Sequence, residues 1–264
     1  MKILFCGDIV GRAGRDAINK YLPTLKAEKK IDFIIINADN AAGGFGVNAD
    51  NVKELLNLRV DVITGGDHIW DQKNVAPLLE QEKRLLRPYN FPARTPGSGF
   101  NIFTDSQGRK IAVLHLLGQV FIKDQVDCPF AAAQTALTGL KLGSNIQAIF
   151  VDFHAEATSE KTAMGHFLDG QVTAIAGSHT HIPTADARIL KNGSAYQTDT
   201  GMCGDYNSVI GFDIKAPLQR FTTKIRKHKM EPASGEGSLC GLLVESDDAT
   251  GLAINVEQII LPKW

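Results

Sequence analysis

Five short apolar runs constrain the fold of this 264-residue chain more than any other feature: KILFCGD (2–8), DFIIINAD (32–39), DVITGGD (61–67), QAIFVDFH (147–154) and VTAIAGSH (172–179). Each is continuous and rich in Ile and Val, which is how a strand reads when both of its faces are covered. Between them, RDAINKYLPTLKAEKK, ADNVKELLNLR and PFAAAQTALTGLKL carry apolar residues at mixed three- and four-residue spacing, as amphipathic helices do. Alternation of this kind predicts an α/β architecture with helices packed on a sheet. The last third changes character. AYQTDTG, SLCGLLVESDD and GLAINVEQIIL are strand-like, with DDATG as a hairpin turn between the last two, and KIAVLHLLG (110–118) is a further strand. Antiparallel strands joining a parallel set predict a mixed sheet, or two stacked sheets with outer helices. FPARTPGSGF (91–100) and KMEPASGEGS (229–238) are too short to be linkers and are expected to be loops, so residues 1–264 are expected to form one domain.

Charge and cysteine usage narrow the function classes. A formal net charge of −1 gives no field of one sign with which to hold long nucleic acid or an anionic membrane, so a phosphate-bearing partner needs a local site. The four cysteines are widely spaced and form no CxxC pair, which fits a reducing cytoplasm. No signal peptide is expected in MKILFCGDIVGR, whose apolar run Asp8 interrupts, and no stretch reaches the roughly 18–20 uncharged residues of a membrane span.

The runs end alike: Asp8, then Asp39 with Asn40, then Asp67 with His68, then His154, then His179 with His181. Ligands of open α/β sheets bind beyond the carboxyl ends of the strands. Any one Asp here is explained as a helix cap and any one His as a hydrogen-bonded boundary residue. Five strands delivering such residues to one edge predict a shared metal site. Three histidines, carboxylates and an amide oxygen without thiolate suit Mn, Fe, Zn or Co. The donors outnumber what one ion can use, and a carboxylate bridging two ions about 3.5–4 Å apart, a geometry suited to in-line attack on phosphoryl groups, accounts for the excess. His179 and His181, two apart in a segment expected to be extended, point the same way, each toward its own ion.

GDIVGRAGR, INADNAAGGFG, GGDHIWD, VDFHAEATSEK, GSHTHIPTADARIL and TDTGMCGDYNSVIG, in this order, resemble the YmdB-like branch of the calcineurin-like metallophosphoesterases. The resemblance runs from residue 2 to the final hairpin; VDFHAEATSEK and the segment around HTH are its most specific parts. It implies an αββα sandwich of two stacked mixed sheets flanked by helices, a dinuclear centre of divalent or trivalent transition-metal ions (Fe or Mn first, Zn or Co next) and phosphodiesterase activity on cyclic nucleotides. Carried over by position, it implies that Asp8 and His181, helped by Asn40, hold one ion. His154, His179 and Asp67 would hold the other, with Asp39 bridging. A hydroxide between the ions would attack phosphorus while His68 protonates the leaving oxygen. The implied substrate is a small phosphodiester, a 2′,3′-cyclic or 3′,5′-cyclic nucleotide. A nuclease or phosphomonoesterase with the same centre, and a catalytically weak nucleotide-binding regulatory protein, are the alternatives.

The chain departs from the family at two ligands. Asp39 stands where Glu is usual, so bridging from 39 needs closer backbone approach. Asp67 stands where Asn is usual, and its extra charge predicts tighter metal binding, a less acidic bridging water, a proton held more firmly on His68 and an alkaline-shifted optimum. Cys203 stands where relatives usually carry a hydroxyl residue, and no role is assigned to it. Around this set, Arg12 is a candidate phosphate contact, though a helix-entry residue facing water suits it better. Phe45, in the glycine-rich loop AAGGFGVN, is a candidate for stacking on a base. Glu160 and Lys161 are expected at the site's mouth or at a solvated helix start. His115 reads as a satisfied core histidine, and His166 and His228 as surface residues. Helical and hairpin faces leave room for a homo-oligomeric contact.

Overall fold

A computed structural model describes residues 1–263. The first sheet contains β1 (Lys2–Cys6), β2 (Phe33–Asn37), β3 (Val62–Thr64) and β4 (Leu85–Leu86). The second contains β5 (Phe100–Thr104), β6 (Lys110–Leu117), β7 (Ala148–His154), β8 (Ala174–Ser178), β9 (Arg188–Ile189) and β10 (Ala195–Gln197). The hairpin β11 (Leu239–Ser246) and β12 (Ala253–Leu261) then returns to the first sheet. The strand orders are β12-β11-β1-β2-β3-β4 and β5-β6-β7-β8-β10-β9. In the first sheet β1 to β4 run parallel and the hairpin antiparallel; in the second β6, β7, β8 and β10 run parallel between antiparallel edges.

Strand periodicity explains why both faces of the runs are apolar. Ile3, Phe5, Phe33 and Ile35 point between the sheets and meet Val113, Phe150 and Ala176 of the opposite sheet, with the rings of Phe5 and Phe150 5.3 Å apart. Their neighbours Leu4, Ile34, Ile36 and Ile63 point outward, under α1 (Gly11–Lys29), α2 (Ala49–Asn57) and α3 (Val75–Gln81). On the second sheet Leu114, Ile149, Val151 and Phe153 lie under α4 (Pro129–Leu137) and α5 (Thr158–Leu168). The layers are helix, sheet, sheet, helix, as the resemblance implies.

The expected helices are present, although PFAAAQTALTGLKL ends early, at Leu137, short of Gly139 with its φ of 81°. Two strands are corrected: β10 and β6, read with the antiparallel additions, pair parallel with β8 and β7 respectively, and each is antiparallel only to an edge strand. Two helices, α3 and α6 (Lys215–Thr223), were not expected; α6 buries only Ala216 and Pro217 and so lacks the apolar periodicity of a packed helix.

Candidate metal centre

The carboxyl ends of β1, β2, β3, β7 and β8 face one cleft, and the side chains just beyond them converge. Two donor sets are formed. In the first, His154 Nε2 lies 3.1 Å from Asp67 Oδ1, 3.5 Å from Asp39 Oδ2 and 3.1 Å from His179 Nδ1, which is itself 3.3 Å from Asp67 Oδ1. In the second, His181 Nε2 is 3.1 Å from Asn40 Oδ1 and 4.0 Å from Asp8 Oδ1. His154 Nδ1, 3.7 Å from Asp8 Oδ1, joins the two.

Hydrogen bonds on the far side of each ring fix which nitrogen faces inward. His154 Nδ1 donates to Ser178 Oγ at 2.9 Å, and that hydroxyl donates to Asp152 Oδ1 at 2.6 Å. His181 Nδ1 donates to the Ile210 carbonyl at 2.8 Å. Both Nε2 atoms therefore present lone pairs to other acceptors: Asp67 and Asp39 in one case, the Asn40 oxygen in the other. Asn40 is oriented by its own Nδ2, which donates to the Gly44 carbonyl at 2.9 Å. Acceptors facing acceptors in a buried cleft repel until a cation sits among them. Donors bound at about 2.0–2.2 Å around one ion stand about 3 Å or slightly more apart, the spacing of the first set. Polarised imidazoles backed by a carboxylate chain are also the usual surroundings of a metal-ligating His.

The electrostatics show the same shortage of positive charge. Burial pushes the Asp8 carboxyl up to about 6, and burial together with repulsion from Asp67 and Asp8 pushes Asp39 well above the usual range. Burial also opposes ionisation of Asp67, but the His179 imidazole 3.3 Å away, whose own proton is held more firmly, outweighs that and holds it below the usual carboxylate range. Burial lowers His154, and lowers His181 to about 4, so both rings are neutral and ready to ligate near pH 7. His179 is raised: burial opposes its proton, but Asp67, Asp8 and Glu156 outweigh burial.

One expectation about the backbone is overturned. β8 stops at Ser178, and His179 and His181 both have positive φ, 97° and 66°, so the segment is a tight left-handed turn and not an extended strand. L-residues avoid this region, and surrounding contacts must hold them there. Asp8 does so by accepting the His179 N–H at 3.1 Å, and Asp199 by accepting the Thr180 N–H at 3.0 Å. Lys161 is the counter-ion: buried, it donates to Asp199 Oδ2 and to the Ser178 carbonyl, each at 2.6 Å. It is thus at neither the mouth nor a solvated helix start, because burial alongside Asp199 favours the paired charge over two separate ones. Glu160 is likewise buried, accepting the N–H groups of Gln119 and Val120 at 2.9 and 3.2 Å.

His68 stands at the rim. Its Nδ1 lies 2.7 Å from Asp71 Oδ2, its N–H donates to Asp39 at 3.1 Å, and its Nε2 is 3.9 Å from Asp67 Oδ2. The Phe45 ring meets that of His68 nearly edge-on at 5.1 Å and packs on Phe212 at 5.2 Å. A cavity of about 320 Å³ opens here, lined by Asn40, His68, Glu156, His179, His181 and Phe212. Arg12 is not part of it; its side chain is 84 % exposed and pairs with Asp16 at 3.4 Å. His115 is buried with Nδ1 3.2 Å from Asp152 Oδ2, but its Nε2 has no hydrogen-bond partner among the described residues, so the core histidine is only half satisfied. His166 and His228 are exposed as expected. Cys203 is buried beneath the site, its N–H donating to the Asp8 carbonyl at 2.8 Å.

Asp71, Asn37, Asp152, Ser178, Asp199 and Glu156 were missed. For one of them strand periodicity gave a signal: Asp152 precedes His154 by two residues on β7 and shares its face. Gly66 is the steric key. A Cβ there would collide with both His154 Nε2 and Asp39 Cγ, so only glycine lets these groups approach.

The YmdB-like protein family model matches residues 4–259. A 2′,3′-cyclic-nucleotide 2′-phosphodiesterase of Bacillus subtilis is 40 % identical over 261 residues, covering 99 % of this chain and 97 % of the relative. A putative phosphatase/phosphodiesterase of Mycoplasma genitalium is 37 % identical, covering 98 % and 92 %. Among solved structures, a novel phosphatase from Mycoplasma pneumoniae superposes with a TM-score of 0.92 at 36 % identity, over 99 % of this chain and 93 % of that one. A hypothetical protein from Thermus thermophilus gives 0.90 at 36 %, over 98 % of both chains. The coarse chemistry that follows is hydrolysis of phosphate esters at a site suited to divalent metal. From the match along nearly the whole chain, and from the αββα sandwich that carries it, the protein belongs to the YmdB-like family of calcineurin-like phosphoesterases.

Proposed function

We propose that the chain, acting as one domain in the cytoplasm, hydrolyses 2′,3′-cyclic nucleotides with two transition-metal ions, Fe or Mn before Zn or Co. Asp67, His154 and His179 would hold one ion and Asp8, His181 and Asn40 the other, with Asp39 within reach as a shared carboxylate. The observation that carries this reading is the pair of inward-facing Nε2 lone pairs, each set against acceptors 3.1 Å away. The Bacillus subtilis relative's name supplies the substrate class.

When bound, the ions supply a water acidified toward neutral pH and positive charge against the phosphoryl oxygens. The remaining work falls to the chain. Asp71 accepts from His68 Nδ1 and so aims Nε2 at the cavity, where it gives its proton to the departing 2′-oxygen as the P–O2′ bond breaks. A 3′-phosphate remains. The Phe212 ring, backed by Phe45, which does not itself line the cavity, supplies an apolar wall for the base. Asp39 reaches its place despite being one methylene shorter than Glu because Gly66 leaves the space open.

The test is metal content per chain by mass spectrometry on protein purified without chelator, with turnover of 2′,3′-cyclic AMP in the same sample. About two equivalents with turnover are expected for a dinuclear centre. One equivalent or none, with no turnover after Mn reconstitution, would sink the reading and favour a regulatory binding protein.

A further inference from the structure

The segment from Lys215 to Lys229, KAPLQRFTTKIRKHK, holds six Lys and Arg residues and no acid. Leu218, Phe221 and Ile225 within it are exposed at 55 %, 69 % and 54 %. Cations and apolar groups meet in a groove of about 570 Å³, lined by Ile210, Arg220, Phe221, Lys224, Arg226 and Met230. None of its lining residues is acidic; Asp213 and Glu231 line a separate small cavity with Lys215 and Lys229. Ile210 also lines the metal-site cavity, so one residue forms the wall shared by the two spaces.

The occupant has to be anionic along its length, partly apolar or aromatic, and able to place one end at the metals. A bilayer is flat, whereas Phe221 and Met230 line a concavity with the cations. A second copy docked through the same patch would set Lys and Arg against their own like charges. A single strand of nucleic acid meets every requirement, since cations track its phosphates and an exposed ring stacks on its bases.

Building on the phosphodiesterase reading above, we propose that the groove makes the preferred substrate an oligoribonucleotide ending in a 2′,3′-cyclic phosphate. Its terminal nucleotide enters the metal cavity past Ile210, while the preceding nucleotides lie against Phe221, Arg220, Lys224 and Arg226. The reaction is one hydrolysis. The oxygen of water joins phosphorus, the electron pair of the breaking P–O2′ bond leaves with O2′, O2′ takes the His68 proton, the proton shed by the water restores His68 through solvent, and the strand keeps a 3′-phosphate. Whole-chain charge argues against a nonspecific grip on long nucleic acid, but not against this local hold on a strand end.

The test compares metal-replete, full-length protein on 2′,3′-cyclic AMP and on an adenylate trimer with a 2′,3′-cyclic phosphate terminus. The trimer's kcat/KM is expected to be about tenfold higher or more at low salt, with the margin shrinking as salt rises. The triple variant Arg220→Ala, Lys224→Ala, Arg226→Ala, and separately Phe221→Ala, should remove that margin and leave mononucleotide turnover unchanged. A trimer no better than the mononucleotide, or variants that lower both equally, would overturn the proposal. So would a margin-free trimer together with retention on phosphatidylserine vesicles, or with a dimer seen by sedimentation, when either is lost in the triple variant. Failure to turn over cyclic AMP counts against the phosphodiesterase reading instead. The groove is then judged by anisotropy of a labelled trimer, whose binding must weaken in the triple variant for the proposal to stand.

Discussion

The two donor sets differ in how completely the fold assembles them. Around Asp67, three donors stand 3.1–3.3 Å from one another and lie near the rim, with Asp67 and His179 about one-fifth exposed. Around Asp8 the donors are looser, 4.0 Å from His181 Nε2 to the carboxylate, and nearly sealed from solvent. The rim set already has its spacing and an ionised carboxylate, whereas the deep set holds a carboxyl raised to about 6, which takes up a proton as pH falls below neutral and must shed it to bind an ion. The first set has the tighter geometry, and each set contains a group, His179 in one and Asp8 in the other, that must shed a proton to bind.

The largest expected effect is for Gly66→Ala, whose methyl would enter the first set and collide with Asp39 as well. Turnover should fall at least about a thousandfold, the several kcal/mol that bound ions contribute, and mass spectrometry should show lost metal. Retention of both ions would break the comparison, because the rim set would then tolerate crowding. His68→Ala comes next: kcat is expected to drop about 10²- to 10⁴-fold, and because the ring also stands within ligand reach of Asp39 and Asp67, metal content is measured alongside: unchanged metal marks a proton donor, lost metal a ligand. Asp152→Asn weakens the chain through Ser178 to His154, and should cost about 10- to 100-fold in affinity at the rim set alone. A two-step metal titration in which only the tighter step moves would sharpen the contrast.

Two smaller effects concern pH. Asp8, Asp39 and His179, all raised, must shed protons to ligate, whereas His154 and His181, both lowered, are already without theirs. In the metal-free protein, Asp8 raised from 3.8 to about 6 gives a stability contribution that declines as pH rises through that window, and a bound ion reverses the loss. The metal-induced gain in Tm should therefore shrink as pH falls from 7 toward 5; a constant gain would mean that the deep set binds without proton release. Asp67→Asn removes a carboxylate that holds the proton on His179, so the pH at which metal loading begins should move to the acid side; an unmoved loading curve would show that the charge at 67 does not govern His179.

Asp8, Asp39, Asn40, Asp67, His68, His154, His179 and His181 were legible as a group because strand ends are legible, and in a parallel sheet the carboxyl ends share an edge. The layer order followed from runs that are apolar on both faces. What escaped had non-local causes. The left-handed turn at His179 and His181 depends on Asp199 and Lys161, 38 residues apart in the chain. The cationic stretch from Lys215 disappeared into a net charge of −1, since a sum over the chain erases a local cluster. Asp71 was visible in GGDHIWD, but its hold on His68 needed the turn geometry that follows β3.

Ile210 serves two masters. Its carbonyl fixes the His181 ring, while its residue forms part of the groove's wall and adopts a φ of 47°. If the centre loads and the groove fills as proposed, an occupant that shifts this residue would also change the grip on an ion held by His181, and by reciprocity that ion would change the grip on the occupant. Loading of the centre and reading of the strand would then be a single linked equilibrium, and the midpoint of a metal titration a reporter of what lies in the groove.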